Sequence, residues 1–121
     1  MAKTIYNVII EYKFPSFNEY TEACRRNKYV GAKMKRKIEH DISWFIERLP
    51  VIKKPVFVKF EWHEPTKKRD PDNVCYAKKF ILDALVRCGK LHGDSPKYVK
   101  GFTDDFCYGG EYKVYVHLEE Q

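Results

Sequence analysis

The stretch VFVKFEW, residues 56–62, has an apolar side chain at every second position, alternating with Phe57, Lys59 and Glu61. One side of an extended backbone here would carry Val56, Val58, Phe60 and Trp62. An apolar period of two predicts a β-strand with one buried face. A strand buried on one face needs an apolar layer to cover it, so the flanking segments should supply helices that pack on a sheet.

Such a helix is predicted just upstream, over residues 29–49. Its apolar side chains are spaced by four, four, three and four residues: Met34, Ile38, Ile42, Phe45 and Leu49. This spacing places them on one stripe of an α-helix, and Pro50 marks the end of the helix. The basic residues of the segment lie off the stripe and should face solvent or a ligand.

The remaining segments predict a second helix over residues 73–88, ended by Gly89 in the left-handed conformation. Further strands are predicted over residues 4–12, 98–102 and 111–118. The segment FPSFNEY, residues 14–20, contains a Pro/Ser/Asn break and is predicted to be a loop. The resulting order, β-α-β-α-β-β within one domain spanning residues 1–121, predicts an α+β fold with helices packed on a small mixed sheet.

The chain has no apolar run of about 18 residues, so no membrane span is predicted. The first ten residues, MAKTIYNVII, lack the charged and apolar regions of a signal peptide, and a cytoplasmic protein is therefore expected. The four cysteines are irregularly spaced and predict free, mostly buried thiols. A zinc site from Cys75, Cys88 and His92 lacks paired ligand spacing.

The loop before the second predicted helix contains acidic and basic residues side by side. Asp70 and Asp72 directly follow Lys67, Lys68 and Arg69. An aspartate before a proline commonly starts a helix, which explains one carboxylate. Two carboxylates at i and i+2 in a turn can also bind one hard cation such as Mg2+, with the basic residues beside them binding the anion that the metal bridges. The two interpretations, helix cap and metal site, are compatible.

The predicted helix aligns further polar side chains with these aspartates. At about 100° per residue, Asp72, Tyr76, Lys79 and Asp83 share one face, whereas Lys78 points away from it. A surface ion pair between Lys79 and Asp83 would explain those two residues but not their alignment with Asp72.

A convincing Mg2+ nuclease site needs a third acid, and Asp94, in the loop beyond the helix, is the best candidate. A helix of about 16 residues is about 24 Å long, so Asp94 reaches Asp72 only if the chain doubles back. Asp104 and Asp105 compete for this role, but their position predicts a turn after a strand.

The basic residues of the chain are concentrated in one segment. Residues 21–54 contain ten Lys or Arg and four Asp or Glu, an excess that equals the whole net charge of +6. A basic helix is typical of proteins that bind a phosphate backbone, although a solvated helix face is equally common. The candidate DNA contacts in this segment are Arg25, Arg26, Lys33, Arg36 and Lys37.

Residues 68–102, KRDPDN through AKKFILDALVRCGKLHGDSPKYVKGF, resemble the RusA-type Holliday junction resolvases, a family often carried by prophages. The family pattern is an Asp-x-Asp-Asn loop, a helix with a lysine before Leu-Asp-Ala-Leu, and an acidic loop after a glycine that ends the helix. The segment FPSFNEY resembles the family's N-terminal Pro-Ser-x-Asn element.

The resemblance implies that Asp70, Asp72 and Asp94 hold Mg2+, for which Mn2+ can substitute, and that Lys79 is the catalytic lysine. In the family fewer residues separate the Asp-Asn pair from this lysine, so Lys78 stays open as an alternative. Two further motif residues, Asn73 and Asn18, are expected to support the site, with Asn73 fixing the loop.

The resemblance also implies a RusA-like fold and a homodimer that binds four-way DNA junctions. The dimer would nick two strands symmetrically near the crossover, in DNA recombination and repair. Lys67, Lys68, Arg69 and the basic helix would hold the DNA backbone. Two alternatives stay open: a non-catalytic DNA-binding module in which the acids are only caps, and a Mg2+ nuclease acting on flaps or RNA.

Overall fold

The computed structural model describes residues 3–121. The elements are β1 (Ile5–Ile10), α1 (Phe17–Arg26), α2 (Lys28–Ile46), β2 (Val56–Glu64), α3 (Pro71–Cys75), α4 (Lys78–Arg87), β3 (Val99–Tyr108) and β4 (Lys113–Glu120). The four strands form one sheet in the order β1-β4-β2-β3. Only β2 and β3 pair in parallel; the other neighbours are antiparallel. The predicted α+β fold with a small mixed sheet is confirmed.

The strand predicted from VFVKFEW is β2, an interior strand of the sheet. Its inward side chains, Val56, Val58, Phe60 and Trp62, are at most 2% exposed. They join one core with apolar side chains of α2 and α4. The side chains that alternate with them lie on the opposite side of the sheet and are half-buried or exposed. We call this second side the open face of the sheet.

The predicted stripe of the upstream helix is confirmed by α2. Ile38, Ile42 and Ile46 are at most 3% exposed, and Leu49 is buried just beyond the end of the helix. The helix starts one residue before the predicted boundary because Asn27 caps it: the Asn27 Oδ1 accepts a 2.7 Å hydrogen bond from the Tyr29 N–H. The stripe therefore packs on the sheet, as its spacing predicts.

The predicted loop at FPSFNEY is wrong, because most of this segment belongs to α1. Ser16 and Glu19 form a capping box: the Ser16 Oγ accepts a 3.1 Å bond from the Glu19 N–H, and the Glu19 carboxylate accepts one from the Ser16 N–H. Helix α1 packs closely on α2 at Gly31. A Cβ there would lie 2.5 Å from the Cys24 Sγ and 3.1 Å from the Cys24 Cα, so the glycine permits this close approach of the two helices.

The predicted helix over residues 73–88 is two helices, α3 and α4. At the break, the Tyr76 hydroxyl donates to the Pro15 carbonyl, and its ring packs edge-on against Phe80 at 5.7 Å. Backbone bonds that reach three residues back, typical of a tight turn, are donated here by Ala77, Lys79 and Phe80. Tyr76 therefore faces the segment before α1 and does not continue a polar stripe from Asp72.

Strand β3 is longer than predicted and includes Asp104 and Asp105, so the predicted turn at these residues is wrong. The predicted left-handed cap after α4 is confirmed, since Gly89 has φ 74°. No disulfide joins the four cysteines, but Cys24 is exposed and the others are half-buried, so their predicted burial is wrong. Within residues 3–121, no helix combines the length and the apolar character that crossing a membrane requires.

Candidate functional site

Asp70 and Asp72 lie at the start of α3, in the turn that also contains Pro71. Asp70 is the N-cap residue by its extended backbone, yet its side chain makes no capping hydrogen bond. Asp72 is in the first turn, and both residues are exposed. Within residues 3–121, neither carboxylate forms a side-chain hydrogen bond or an ion pair. Capping therefore explains the backbone of Asp70 but leaves both carboxylates available for a ligand.

Lys79 and Asp94 are brought together by the loop that follows α4. The Lys79 Nζ lies 3.1 Å from the Asp83 Oδ1 and 3.7 Å from the Asp94 Oδ2. The loop after α4 thus returns alongside the helix and meets the Lys79 side chain. That Asp94 also reaches Asp72 stays a prediction. Lys35, which the sequence did not single out, reaches the other oxygen of Asp83 from α2, at 2.9 Å.

The Asp83 carboxylate is the half-buried centre of this cluster. Burial raises its pKa, but the hydrogen bonds and charges of Lys35 and Lys79 outweigh burial, and the pKa of Asp83 is lower than its usual value. A carboxylate whose pKa is lower in the folded state than in the unfolded state stabilises the fold at pH values above its unfolded-state pKa. This contribution is lost as the pH falls through the folded-state pKa.

We therefore expect Asp83→Asn to lower the free energy of unfolding at neutral pH, and this deficit to shrink as the pH falls below about 4. Urea unfolding of both proteins between about pH 7 and about pH 2 measures the difference. Lys35→Met should weaken the same pH dependence, since it removes one of the two cations. A deficit that stays constant over the whole range would contradict this role of Asp83.

Lys78 points away from Lys79 and toward β3. Its Nζ lies 2.5 Å from the Asp104 Oδ2 and 4.1 Å from the centre of the Phe102 ring. The other oxygen of Asp104 accepts a 2.9 Å bond from the Trp62 Nε1. The Lys78 side chain is 16% exposed, against 66% for Lys79. This geometry gives Lys78 a structural role and favours Lys79 as the lysine that a substrate can reach.

Asn73 and Asn18, the two expected supporting residues, are in contact. The Asn18 N–H, in the first turn of α1, donates a 3.1 Å hydrogen bond to the Asn73 Oδ1. An N–H at that position has no partner within its own helix. The contact ties the turn that carries Asp72 to the start of α1.

Arg69 was predicted as a DNA contact, but the structure places it within the fold. Its Nε and Nη2 each donate a 2.7 Å bond to the Glu64 carboxylate, and its Nη1 donates one to the Phe14 carbonyl. The Arg69 and Glu64 side chains are 17% and 5% exposed. In this bidentate pair the Arg69 guanidinium already makes the two parallel hydrogen bonds with which an arginine would bind a phosphate. Arg69 therefore anchors the loop to β2.

The other predicted DNA contacts are exposed. We give the name basic surface to the five of them that lie on α1 and α2: Arg25, Arg26, Lys33, Arg36 and Lys37. Of these, Lys37 pairs with Asp41 at 2.8 Å. Lys67 and Lys68 are exposed in the loop before α3. Cations on two helices and one loop can contact a phosphate backbone without specifying its sequence.

The donor chemistry of Asp70, Asp72 and Asp94 fits a hard cation such as Mg2+, which prefers carboxylate oxygens and keeps several waters. These three side chains do not bring their oxygens within 4.8 Å of one another. Within residues 3–121, the one group of three or more candidate ligands that meets this limit is Glu61, His63 and Cys107. The sequence does not indicate that cluster, because Cys107 lies on β3 and Glu61 and His63 lie on β2.

Comparison with known proteins finds no matching family model and no matching curated protein. The resemblance to the RusA-type resolvases therefore rests on the order and spacing of the motifs in residues 68–102 and on the segment FPSFNEY, residues 14–20.

Proposed function

We propose that this protein is a Mg2+-dependent endodeoxyribonuclease that resolves Holliday junctions, as a homodimer in the cytoplasm. The observation that carries the proposal is the pair of exposed carboxylates, Asp70 and Asp72, that form no side-chain hydrogen bond or ion pair within residues 3–121. A turn that only caps a helix needs no second acid and would use the side chain of the first.

Asp70, Asp72 and Asp94 would hold the metal ion. When bound, Mg2+ supplies an activated water and offsets negative charge on the scissile phosphate. Asn73 keeps the turn attached to α1 through its bond to the Asn18 N–H. The carboxylates are thus carried by a turn with a second anchor, which supports a defined ligand geometry.

Lys79 would act on the phosphate itself. Its side chain is 66% exposed, and its ammonium group lies between Asp83 and Asp94, whose charges restrict where it points. A positioned cation stabilises the negative charge that develops on a phosphate oxygen in the transition state. Lys79 could also orient the attacking water.

The basic surface, with Lys67 and Lys68, would bind the DNA backbone. Contacts of this kind give an affinity that falls steeply with salt and depends little on sequence. One chain carries one candidate site, whereas junction resolution needs two symmetric nicks. A homodimer with two-fold symmetry would supply the second site.

A labelled four-way junction incubated with and without Mg2+ tests the proposal. We expect paired nicks near the crossover only with Mg2+, and little cleavage of a plain duplex with the same arms. Flap and RNA substrates run in parallel measure the substrate preference. Binding of the junction without nicking in Mg2+ would contradict the proposal and favour a non-catalytic module. Faster cleavage of the flap or the RNA would favour another Mg2+ nuclease.

A further inference from the structure

The cluster of Glu61, His63 and Cys107 lies on the open face of the sheet. Glu61 and His63 are two residues apart on β2, so the strand period places their side chains on the same side. His63 pairs directly with Cys107 in the parallel register of β2 and β3. Three different ligand types therefore converge through strand pairing alone.

The distances in this cluster are close to those of a tetrahedral metal site. The His63 Nε2 lies 2.8 Å from the Glu61 Oε1, the Cys107 Sγ lies 3.6 Å from the same oxygen, and all three atoms lie within 4.8 Å of one another. Zinc bonds of about 2.0–2.3 Å place tetrahedral ligands about 3.3–3.6 Å apart. Small side-chain rotations would bring the three atoms to that spacing.

The surroundings of the cluster support a ligand site. The His63 ring packs against Tyr115 with ring centres 4.7 Å apart, which restricts its orientation. Asp105 pairs with Glu61 in the sheet register and is exposed, so it adds negative charge beside the cluster. The Glu61 side chain is 36% exposed, which leaves the cluster open to an incoming ion.

We propose that Glu61, His63 and Cys107 bind one Zn2+ ion, with a water in the fourth position. A thiolate and an imidazole select zinc over Mg2+, whereas the three aspartates of the proposed nuclease site offer only oxygen donors. The two sites lie on opposite sides of the sheet, because Asp72 and Lys79 belong to the helical layer. The zinc site is therefore independent of the proposed function.

A calorimetric titration with Zn2+ alone tests the site. The full chain is first reduced and treated with a chelator. We expect one Zn2+ per chain and a higher Tm in the presence of Zn2+. Cys107→Ser and His63→Gln should each weaken binding at least about a hundredfold. Co2+ in place of Zn2+ should give a cobalt–thiolate absorption band that Cys107→Ser abolishes.

Two control variants test whether Zn2+ binding is specific to this cluster. Cys88→Ser removes a half-buried thiol outside the cluster and should leave Zn2+ binding unchanged, as should Asp72→Asn. Circular dichroism checks that each variant is folded. The absence of stoichiometric binding, or the same affinity in Cys107→Ser and His63→Gln as in the unmodified chain, would overturn the proposal.

Discussion

Asp72→Asn is expected to lower the rate of Mg2+-dependent junction cleavage at least about a hundredfold, equivalent to about 2.7 kcal/mol in the activation barrier. Asparagine keeps the shape of the side chain but removes the charge that a hard cation requires. Single-turnover cleavage of a labelled four-way junction measures the loss.

Junction binding without Mg2+ should survive in Asp72→Asn, because the basic surface is unchanged. The fold should change little as well, since Asp72 is exposed and forms no side-chain hydrogen bond or ion pair within residues 3–121. Asp105→Asn is the matched control: it removes another exposed aspartate, on the open face, and should leave cleavage intact. Undiminished cleavage by Asp72→Asn would remove Asp72 from the proposed metal site.

Arg69→Ala is expected to destabilise the protein by about 3–5 kcal/mol. The substitution leaves the buried Glu64 carboxylate without the guanidinium that neutralises it. It also removes the hydrogen bond to the Phe14 carbonyl. The free energy of unfolding in urea measures the change.

Lys68→Ala is the matched control for Arg69→Ala, because Lys68 is the neighbouring cation and is exposed. It should change stability by less than about 0.5 kcal/mol but weaken DNA binding. The double variant Arg69→Met, Glu64→Leu should recover much of the stability, since it removes both charges together. A loss below about 1 kcal/mol in Arg69→Ala would show that the pair is not the anchor described here.

The elements predicted correctly are those whose pattern is local. The alternation around Val58 and the helical spacing around Ile42 each identify an element without knowledge of the rest of the chain. Helix α1 was also encoded locally, by the Ser16–Glu19 capping box, but the proline before it favoured a loop. The break at Tyr76 was not predictable in this way, because a tertiary contact with Pro15 accompanies it.

The candidate site divides in the same way. That Asp70 and Asp72 share one turn follows from the sequence, because they are two residues apart and follow a strand. The contact of Asp94 with Lys79 and the ion pair of Arg69 with Glu64 depend on the packing of separate elements. Likewise, Cys107 meets His63 only through the register of two strands far apart in the chain. Periodicity and capping act over a few residues, whereas these contacts depend on how separate elements pack, which no local pattern specifies.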